Sequence, residues 1–388
     1  MAILIKKMIQ KLQRWIEDLE DNEWGYVRTK TPLFAKSDLY KISGHWDHYK
    51  EGMFILGDEE KDKEVFALRP MTCPFQYYAY KNTQKSYRDL PYRMAETSIL
   101  FRNEDSGEMH GLTRVRQFTI SESHLVVTPE QTGEELKSVL ELALYVLDTL
   151  GLKEDVSFRL SKWDPENKGK YLGDDEYWES TQNTLRNILI EKGLPFTEAE
   201  GEAAFYGPKI DIQTKNVYGK EDTMITVQLD CAIADKFDLY YVDQNGNRVR
   251  PYIIHRTSIG CYERTLAWLI EKYMGKFPTW LCPEQVRVLP ISEKYIDYAN
   301  KVLEKLRKNG IDAKLDNRDE KIGFKIRDAR LSRLPYMLVV GEKEEAEGSV
   351  SVRSRFAGDE GSKKLSDFVD MICKEIRTKE IRKEEVTE

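Results

Sequence analysis

The sequence predicts an α+β protein: an antiparallel sheet flanked by helices, followed by a small α/β domain with a mixed sheet. Three observations carry this. Residues 115–127, VRQFTISESHLVV, alternate apolar and polar side chains, as a strand with one covered face does. Residues 203–257 hold further strand-like runs, with Gln244-Asn245-Gly246-Asn247 placed as a hairpin turn between two of them, which reads as an antiparallel meander. Beyond 278-PTWLCPEQ-285, the best linker candidate, strands begin to alternate with helices. The expected division is therefore 1–280 and 283–388.

Taken in order, Ile3, Ile5, Met8, Ile9, Leu12, Trp15, Ile16 and Leu19 recur at helical spacing over 3–20. The chain starts inside this pattern with no capping residue ahead of it, so the expectation is that an upstream region is absent or that Met1 is not the natural start. YVRTKTPLF reads as a strand broken by Pro32, which cannot donate to a ladder. Residues 64–70 and 94–101 are strand-like, and 129–150 form a helix opened by Pro129 and Glu130 and closed by Gly151. Residues 259–273 are apolar around most of a helical circumference, as a buried helix is. In the second part QVRVLPI, IDAKLDN, PYMLVVG and SVSVRSR are strands, while YIDYANKVLEKLRKNG, IGFKIRDARLSR and LSDFVDMICKEIR are helices. A charged, solvated tail is expected from Lys374.

Composition limits the function classes. The chain has 388 residues, 40% hydrophobic, enough for two or three domains. Its 60 basic and 67 acidic residues give a formal charge of −7, so nucleic acid is not bound through general basicity and any such contact is local. No apolar run reaches the roughly 18 residues of a membrane span. The start lacks the small-residue cleavage site of a secretory signal. The five cysteines, Cys73, Cys231, Cys261, Cys282 and Cys373, are scattered and form no CxxC pair, which reads as a reduced, cytoplasmic protein.

Four constellations carry chemistry. Arg102 and Arg114 flank a loop holding Ser106, Gly107, His110 and Gly111; guanidinium groups on strands can fork onto phosphate oxygens, and Phe118 can stack on a base. On spacing alone, a surface hairpin with its arginines paired to Glu104 and Asp105 is the commoner outcome. His124 and His255 sit in apolar strands and Cys73 follows a proline-flanked turn; together they suit a three-ligand zinc site with an open position, although core histidines satisfied by neighbours are commoner. Arg264 enters a buried helix after Gly260 and needs a partner, either a phosphate or Glu263. Tyr206 and Lys209 bracket a Gly-Pro turn and can orient a small zwitterion, or make an ordinary hairpin.

These signals occur in the order of a known family. GHWDHYKEGMF, RPMTCP, SYRDLPYRMAE, RNEDSGEMHGLTRVRQFT, AFYGPKID, TVQLD, IIHRTSIGCYER, FPTWLCP, EKIGFKIRDARLSRLPYMLVVGEKE and SVSVRSR resemble the threonyl-tRNA synthetase family of class II aminoacyl-tRNA synthetases, over nearly all of the chain. The resemblance implies a catalytic domain at 1–280 and an anticodon-binding domain at 283–388. It implies that threonine is activated with ATP to threonyl-adenylate and passed to tRNA(Thr), with one Zn2+ per subunit and Mg2+ accompanying ATP. Pro32 then matches the first class motif at a homodimer interface. Arg102 bridges the α-phosphate and the amino-acid carboxylate, Glu104 reads adenine, Phe118 stacks on it, and Arg114 holds the γ-phosphate. Arg264 lies across ATP from Arg102, and Tyr206, Lys209 and Gln228 surround the amino acid and α-phosphate. Cys73, His124 and His255 match the zinc ligands, and Arg333, Glu344 and Arg353 the contacts to anticodon bases. The family's amino-terminal domains, including the one that hydrolyses Ser-tRNA, are missing from this sequence, and the expectation is that this polypeptide does not edit.

The departures concentrate at the substrate. Glu122 stands where the family has an aspartate that holds the substrate hydroxyl and amine, and Ile120 replaces a glutamine near its carboxylate. Thr257 stands for an alanine, Thr223 for a glutamine, and Asp319 for an asparagine at the anticodon. Two alternatives follow: a synthetase paralogue with another amino acid or carrier, and a catalytically silent RNA-binding regulatory homologue.

Overall fold

The alternation over 115–127 becomes, in the computed structural model, the strand Gln117–Val127 near the middle of an eight-stranded sheet. The structure describes residues 2–217 and 219–384; the side chain of Ile3, part of the expected apolar face, and the last four residues of the charged tail lie outside the described residues. The chain divides into two compact units, Leu12–Trp268 and Met1–Lys11 with Leu269–Glu388.

In the first unit the strands lie in the order Val27–Arg28, Tyr92–Phe101, Gln117–Val127, Tyr252–Cys261, Glu221–Asp230, Lys209–Lys215, Val156–Ser161 and Phe196–Ala199. All six central strands pair antiparallel, and only the two edge strands pair parallel. The α+β expectation is met. The helix Thr132–Thr149 packs on strands Tyr252–Cys261 and Glu221–Asp230. It lies on the face that carries Arg93, whose guanidinium is gripped at 2.7 and 2.6 Å by Glu135 of that helix. His124 is one residue off Leu125, the cross-strand partner of Arg93, so it points to the opposite face. One face is thus covered by a helix and the other is left to build a site.

Three local expectations change. Cys73 does not follow a simple turn; it opens the helix Cys73–Lys81, with Pro74 just inside the start where its missing N–H costs nothing. The buried helix begins at Tyr262 rather than 259, because 259–261 finish the strand Tyr252–Cys261. There Gly260 adopts a φ of +73°, and a Cβ on it would sit 2.0 Å from the Met224 carbonyl oxygen, so only glycine fits. The meander is interrupted: between Asp230 and Tyr252 the chain makes a short helix, Ile233–Lys236, and a separate two-stranded hairpin across the predicted Gln244–Asn247 turn.

In the second unit, strands run in the order Ala313–Leu315, Val286–Pro290, Tyr336–Val340, Ser349–Ser354 and Gly358–Lys364. The first three are parallel and the last two antiparallel, a mixed sheet as expected. Val302 and Leu306 of helix Ile296–Lys308, with Phe368 and Ile372 of helix Leu365–Thr378, are buried in its core; each such side chain contributes about 1.5–3 kcal/mol of burial. Two segments differ from expectation. Trp280, Leu281 and Cys282 of the proline-rich 278–285 stretch are buried, not exposed. The tail expected from Lys374 starts later, because Glu375 is buried and receives the Tyr336 hydroxyl proton as a hydrogen bond.

Candidate functional site

One rung of the sheet collects residues far apart in sequence. Along the hydrogen-bonded register, Met94 faces His124, His124 faces His255, His255 faces Gln228, Gln228 faces Lys209, and Lys209 faces Ser161. Directly opposed residues share a face, so these side chains line one band across six strands. The next rung holds Glu96, Glu122 and Thr257, with Thr226 and Asp211 paired further along. Period two then puts Phe118, Ile120, Glu122 and His124 on the same face of their strand.

Cys73 reaches this band from the start of its helix. The thiol of Cys73 and one ring nitrogen each of His124 and His255 lie within 4.8 Å of one another, and all three residues are buried. The two imidazoles meet edge to face, their centroids 4.7 Å apart. His124 Nδ1 is 2.6 Å from Gln76 Oε1, so the ring donates there and keeps a lone pair on Nε2. That Nε2 is buried and has no hydrogen-bond partner. His255 Nε2 lies 3.1 Å from Asp230 Oδ2 and 3.3 Å from the Tyr77 hydroxyl. A buried nitrogen without a partner costs roughly 1–3 kcal/mol, a cost that a metal ion would relieve. Burial holds the His124 imidazole far below its ordinary range, in the neutral form that ligates. Burial, then the Glu122 charge, pushes the Cys73 thiol well up, so ionising it needs a cation. The donor set therefore fits a divalent ion of zinc's preferences.

A chamber of about 140 Å³ opens beside this trio, walled by His45, Cys73, Glu122, Tyr206, Gln228 and His255 among others. The Tyr206 hydroxyl donates to Gln228 Oε1, and the Tyr206 ring stacks on His255 at 4.9 Å. Glu122 Oε2 accepts from the Thr72 backbone N–H at 3.0 Å and from the Thr72 hydroxyl. Burial raises the Glu122 carboxyl above its usual range, opposed chiefly by these two hydrogen bonds. His45 is buried, with Nδ1 2.8 Å from Ser43 Oγ, and burial, with the charges of His255 and His48 behind it, drops its pKa to about 3.

Arg102, Ile120, Thr226, Gln228 and Thr257 also wall a second, larger cavity of about 280 Å³. Its other walls include Glu104, Arg114, Phe118, Lys209 and Arg264. Arg102 lies over the Phe118 ring at 5.2 Å and leaves its fork toward the cavity, with one long contact of 3.4 Å to the Pro70 carbonyl. Arg264 does not pair with Glu263; it donates to the carbonyls of Thr113 at 2.9 Å and Thr223 at 2.7 Å, while Glu263 accepts from the Thr119 N–H. Arg114 is paired, with Glu104 at 2.8 Å and Glu108 at 3.2 Å. The surface ion pair read from spacing is thus present for Arg114. Lys209 Nζ lies 2.8 Å from Asp211 Oδ2.

In the second unit, Asp319 lines a cleft with Ile291, Lys294 and Lys321. Glu344 accepts from the Gly341 N–H at 3.0 Å and is not among the residues lining that cleft. Arg353 pairs with Asp359, and its cross-strand neighbour is Met337. Arg333 is exposed just past helix Ile322–Leu331, with φ +55°, and is not among the residues lining that cleft.

Sequence reasoning missed Gln76, Asp230 and Thr72, which orient His124, His255 and Glu122. Gln76 lies one helical turn after Cys73, a usable signal once that helix is known.

Residues 54–273 match the tRNA synthetase class II core domain (G, H, P, S and T), and residues 285–375 match the anticodon binding domain. A threonine–tRNA ligase of Clostridium perfringens is 64% identical over 374 residues, 96% of this chain and 58% of that protein. One of Clostridium botulinum is 65% identical over the same length and shares. The chain therefore spans 58% of the length of these relatives. A crystal structure described as the RNA binding domain of threonyl-tRNA synthetase from Cryptosporidium parvum superposes with a TM-score of 0.87 at 35% identity, covering 95% of this chain and 90% of that one.

Proposed function

Because the chain belongs to the class II tRNA synthetases of the G, H, P, S and T core, we propose that it is the catalytic and anticodon-reading portion of a threonine–tRNA ligase. The observation that carries this reading is the shared wall between two cavities, one beside Cys73, His124 and His255 and the other ringed by Arg102, Arg114 and Arg264. The relatives at 64–65% identity support the choice of threonine.

In this reading Cys73, His124 and His255 hold Zn2+, which supplies a Lewis acid able to take the amine and hydroxyl of threonine together, a pair that valine cannot offer. Glu122, Tyr206 and Lys209 orient the zwitterion. ATP lies in the larger cavity with Mg2+: Phe118 stacks on adenine, Glu104 reads its edge, and Arg114 takes the γ-phosphate. Arg102, Lys209, Gln228 and Arg264 gather at the α-phosphate, where the threonine carboxylate attacks. Fixed guanidinium groups stabilise the charge developing there, and positioning does the work that a covalent catalyst does elsewhere. The domains are assigned as 1–280 for activation and 283–388 for the anticodon, with Arg333, Glu344, Arg353 and Asp319 meeting unstacked bases of tRNA(Thr). A cytoplasmic homodimer joined through the Pro32 region completes the proposal; no described helix is long and apolar enough to cross a membrane.

The test is ATP–pyrophosphate exchange over a panel of amino acids. Threonine should drive it with bound zinc present; exchange absent at full zinc occupancy, or driven only by another amino acid, would reject the reading. Arg353→Ala should weaken aminoacylation of tRNA while leaving threonine-dependent exchange intact.

A further inference from the structure

The Gln76 amide can face His124 in two ways, and only one of them leaves a lone pair on the far nitrogen of the ring. Gln76 is buried and touches two partners: its Oε1 lies 2.6 Å from His124 Nδ1, and its Nε2 lies 2.7 Å from the Thr29 hydroxyl. Thr29 is set against the sheet by its N–H, which donates to the Ala95 carbonyl at 2.8 Å. Its hydroxyl oxygen is 3.2 Å from Glu96 Oε2 and 3.3 Å from the Ala95 carbonyl oxygen. Both of those are acceptors, so the single hydroxyl proton goes to them and the oxygen is left to accept from Gln76. Glu96 is itself buried and fixed. Its Oε1 accepts from the buried Arg69 guanidinium at 2.9 Å, and Thr31 donates to the carboxylate from its N–H at 3.2 Å and its hydroxyl at 2.9 Å. Turned over, the Gln76 amide would present its carbonyl oxygen to Thr29 and draw off the hydroxyl proton. Thr29 Oγ1 would then face two acceptor oxygens with no hydrogen between them. The amide NH2 would meet His124 Nδ1, and the ring would have to carry its proton on Nε2.

Resting on the zinc assignment above, we propose that Thr29 and Glu96 are positioning residues for the metal site, and that they select the His124 tautomer through Gln76. The chain runs one way. His124 donates from Nδ1 to Gln76, Gln76 donates from Nε2 to Thr29, and Thr29 donates to Glu96, whose charge is held by Arg69. The nitrogen left bare is Nε2, the buried atom without a hydrogen-bond partner. Neither Thr29 nor Glu96 belongs to the Cys73, His124 and His255 cluster, so both act only through the amide between them and the ring. A ligand whose competent form is only partly populated binds its metal more weakly by that fraction, so the chain sets zinc affinity without touching zinc.

The experiment uses the full chain, as wild type, Thr29→Val and Thr29→Ser. Each is labelled with nitrogen-15 in its histidine rings and freed of metal, and long-range proton–nitrogen correlation tells protonated ring nitrogens from bare ones. The His124 signals are those missing from His124→Asn. Zinc affinity is measured separately, by competition with a chromophoric chelator. Wild type and Thr29→Ser should show His124 protonated on Nδ1 and bare on Nε2. Thr29→Val keeps the shape and removes the hydroxyl, so both tautomers should appear. If the competent one falls to about half, zinc affinity falls about twofold, and the two losses should match whatever their size. Thr29→Val with the Nδ1 tautomer alone and unchanged zinc affinity overturns the proposal. So does a fall in affinity with the tautomer unmoved, which is what a merely structural role would give. Independently of how the variants fold, a wild-type His124 protonated on Nε2 overturns it. A wild-type chain that holds the tautomer, loses it in Thr29→Val and yet binds no zinc supports the chain of hydrogen bonds and removes the zinc assignment instead, a different failure.

Discussion

The two ends of the cleft are built by opposite means. At the metal end every group is buried and each imidazole is turned by its own partner, His124 by Gln76 and His255 by Asp230. At the nucleotide end Arg114 is half exposed, and its charge is met by Glu104 and Glu108. Buried hydrogen bonds in a low-dielectric region are costly to break, whereas exposed ion pairs contribute about 0.2–1 kcal/mol and exchange readily. In the proposed reading the amino-acid end is thus a fixed gauge, and the ATP end a grip that would trade carboxylates for phosphates. Arg102 and Arg264 stand at the junction, and Arg264 is already aimed by two backbone carbonyls.

If that contrast is right, damage to the gauge should not be recoverable by substrate, and damage to the grip should. The largest effect is expected from Cys73→Ser. Loss of a thiolate ligand should abolish stoichiometric zinc and lower threonine-dependent exchange by about 10³-fold or more, beyond the roughly 10–100-fold that outer partners cost. Full zinc and full turnover in that variant would remove Cys73 from the metal site. Arg264→Ala should reduce exchange by roughly 10²–10³-fold, as loss of one fixed charge-stabilising donor does, with bound zinc unchanged. A parallel fall in zinc content would show that the two ends are not separable. Gln76→Leu comes next. It frees the His124 ring to choose the wrong tautomer, so zinc affinity should fall roughly 10–100-fold and exchange should return on adding zinc. Metal titration of exchange in the variant checks this, and an unaltered titration curve would make Gln76 a bystander.

The same contrast explains what could be read from the sequence. The proposed nucleotide grip is local: Arg102, Arg114 and Phe118 fall within one hairpin, as does the Arg114–Glu104 pair that spacing favoured, and its ATP roles came from the family resemblance. The gauge was not legible from residues alone. His124 and His255 meet only because strands Gln117–Val127 and Tyr252–Cys261 pair in one register, and a slip by one residue would send them to opposite faces. Cys73 looked like a turn residue because prolines flank it, yet Pro74 starts a helix there. That helix also carries Gln76 to His124, a partner no spacing announces. The residues alone offered the trio only as the less common outcome, and the family resemblance made it the expectation. The antiparallel sheet and the α/β character of the second unit were legible, since alternation and strand–helix order state them directly. The later helix start at Tyr262 and the interrupted meander depend on Gly260 against Met224 and on a short helix after Asp230, both tertiary details.

The smallest effect is the sharpest check on the grip. Glu108 holds Arg114 at 3.2 Å from an exposed position, and Glu104 holds it at 2.8 Å from a more sheltered one. Glu104 has a proposed task of its own on adenine, so removing it confounds two roles. Glu108 has none. Glu108→Gln removes only the competitor for the γ-phosphate, and an exposed pair of about 0.2–1 kcal/mol corresponds to an improvement in the KM for ATP of roughly 1.4- to 5-fold. The gain should be present at low ionic strength and vanish near 1 M salt, where the screening length shrinks to about 3 Å. The KM for threonine and the zinc content should not move, because neither depends on that loop. ATP titrations of exchange at two salt concentrations measure all of this. A KM for ATP that rises in Glu108→Gln would mean that Glu108 positions Arg114 for the phosphate, and the nucleotide end would then be as preassembled as the metal end.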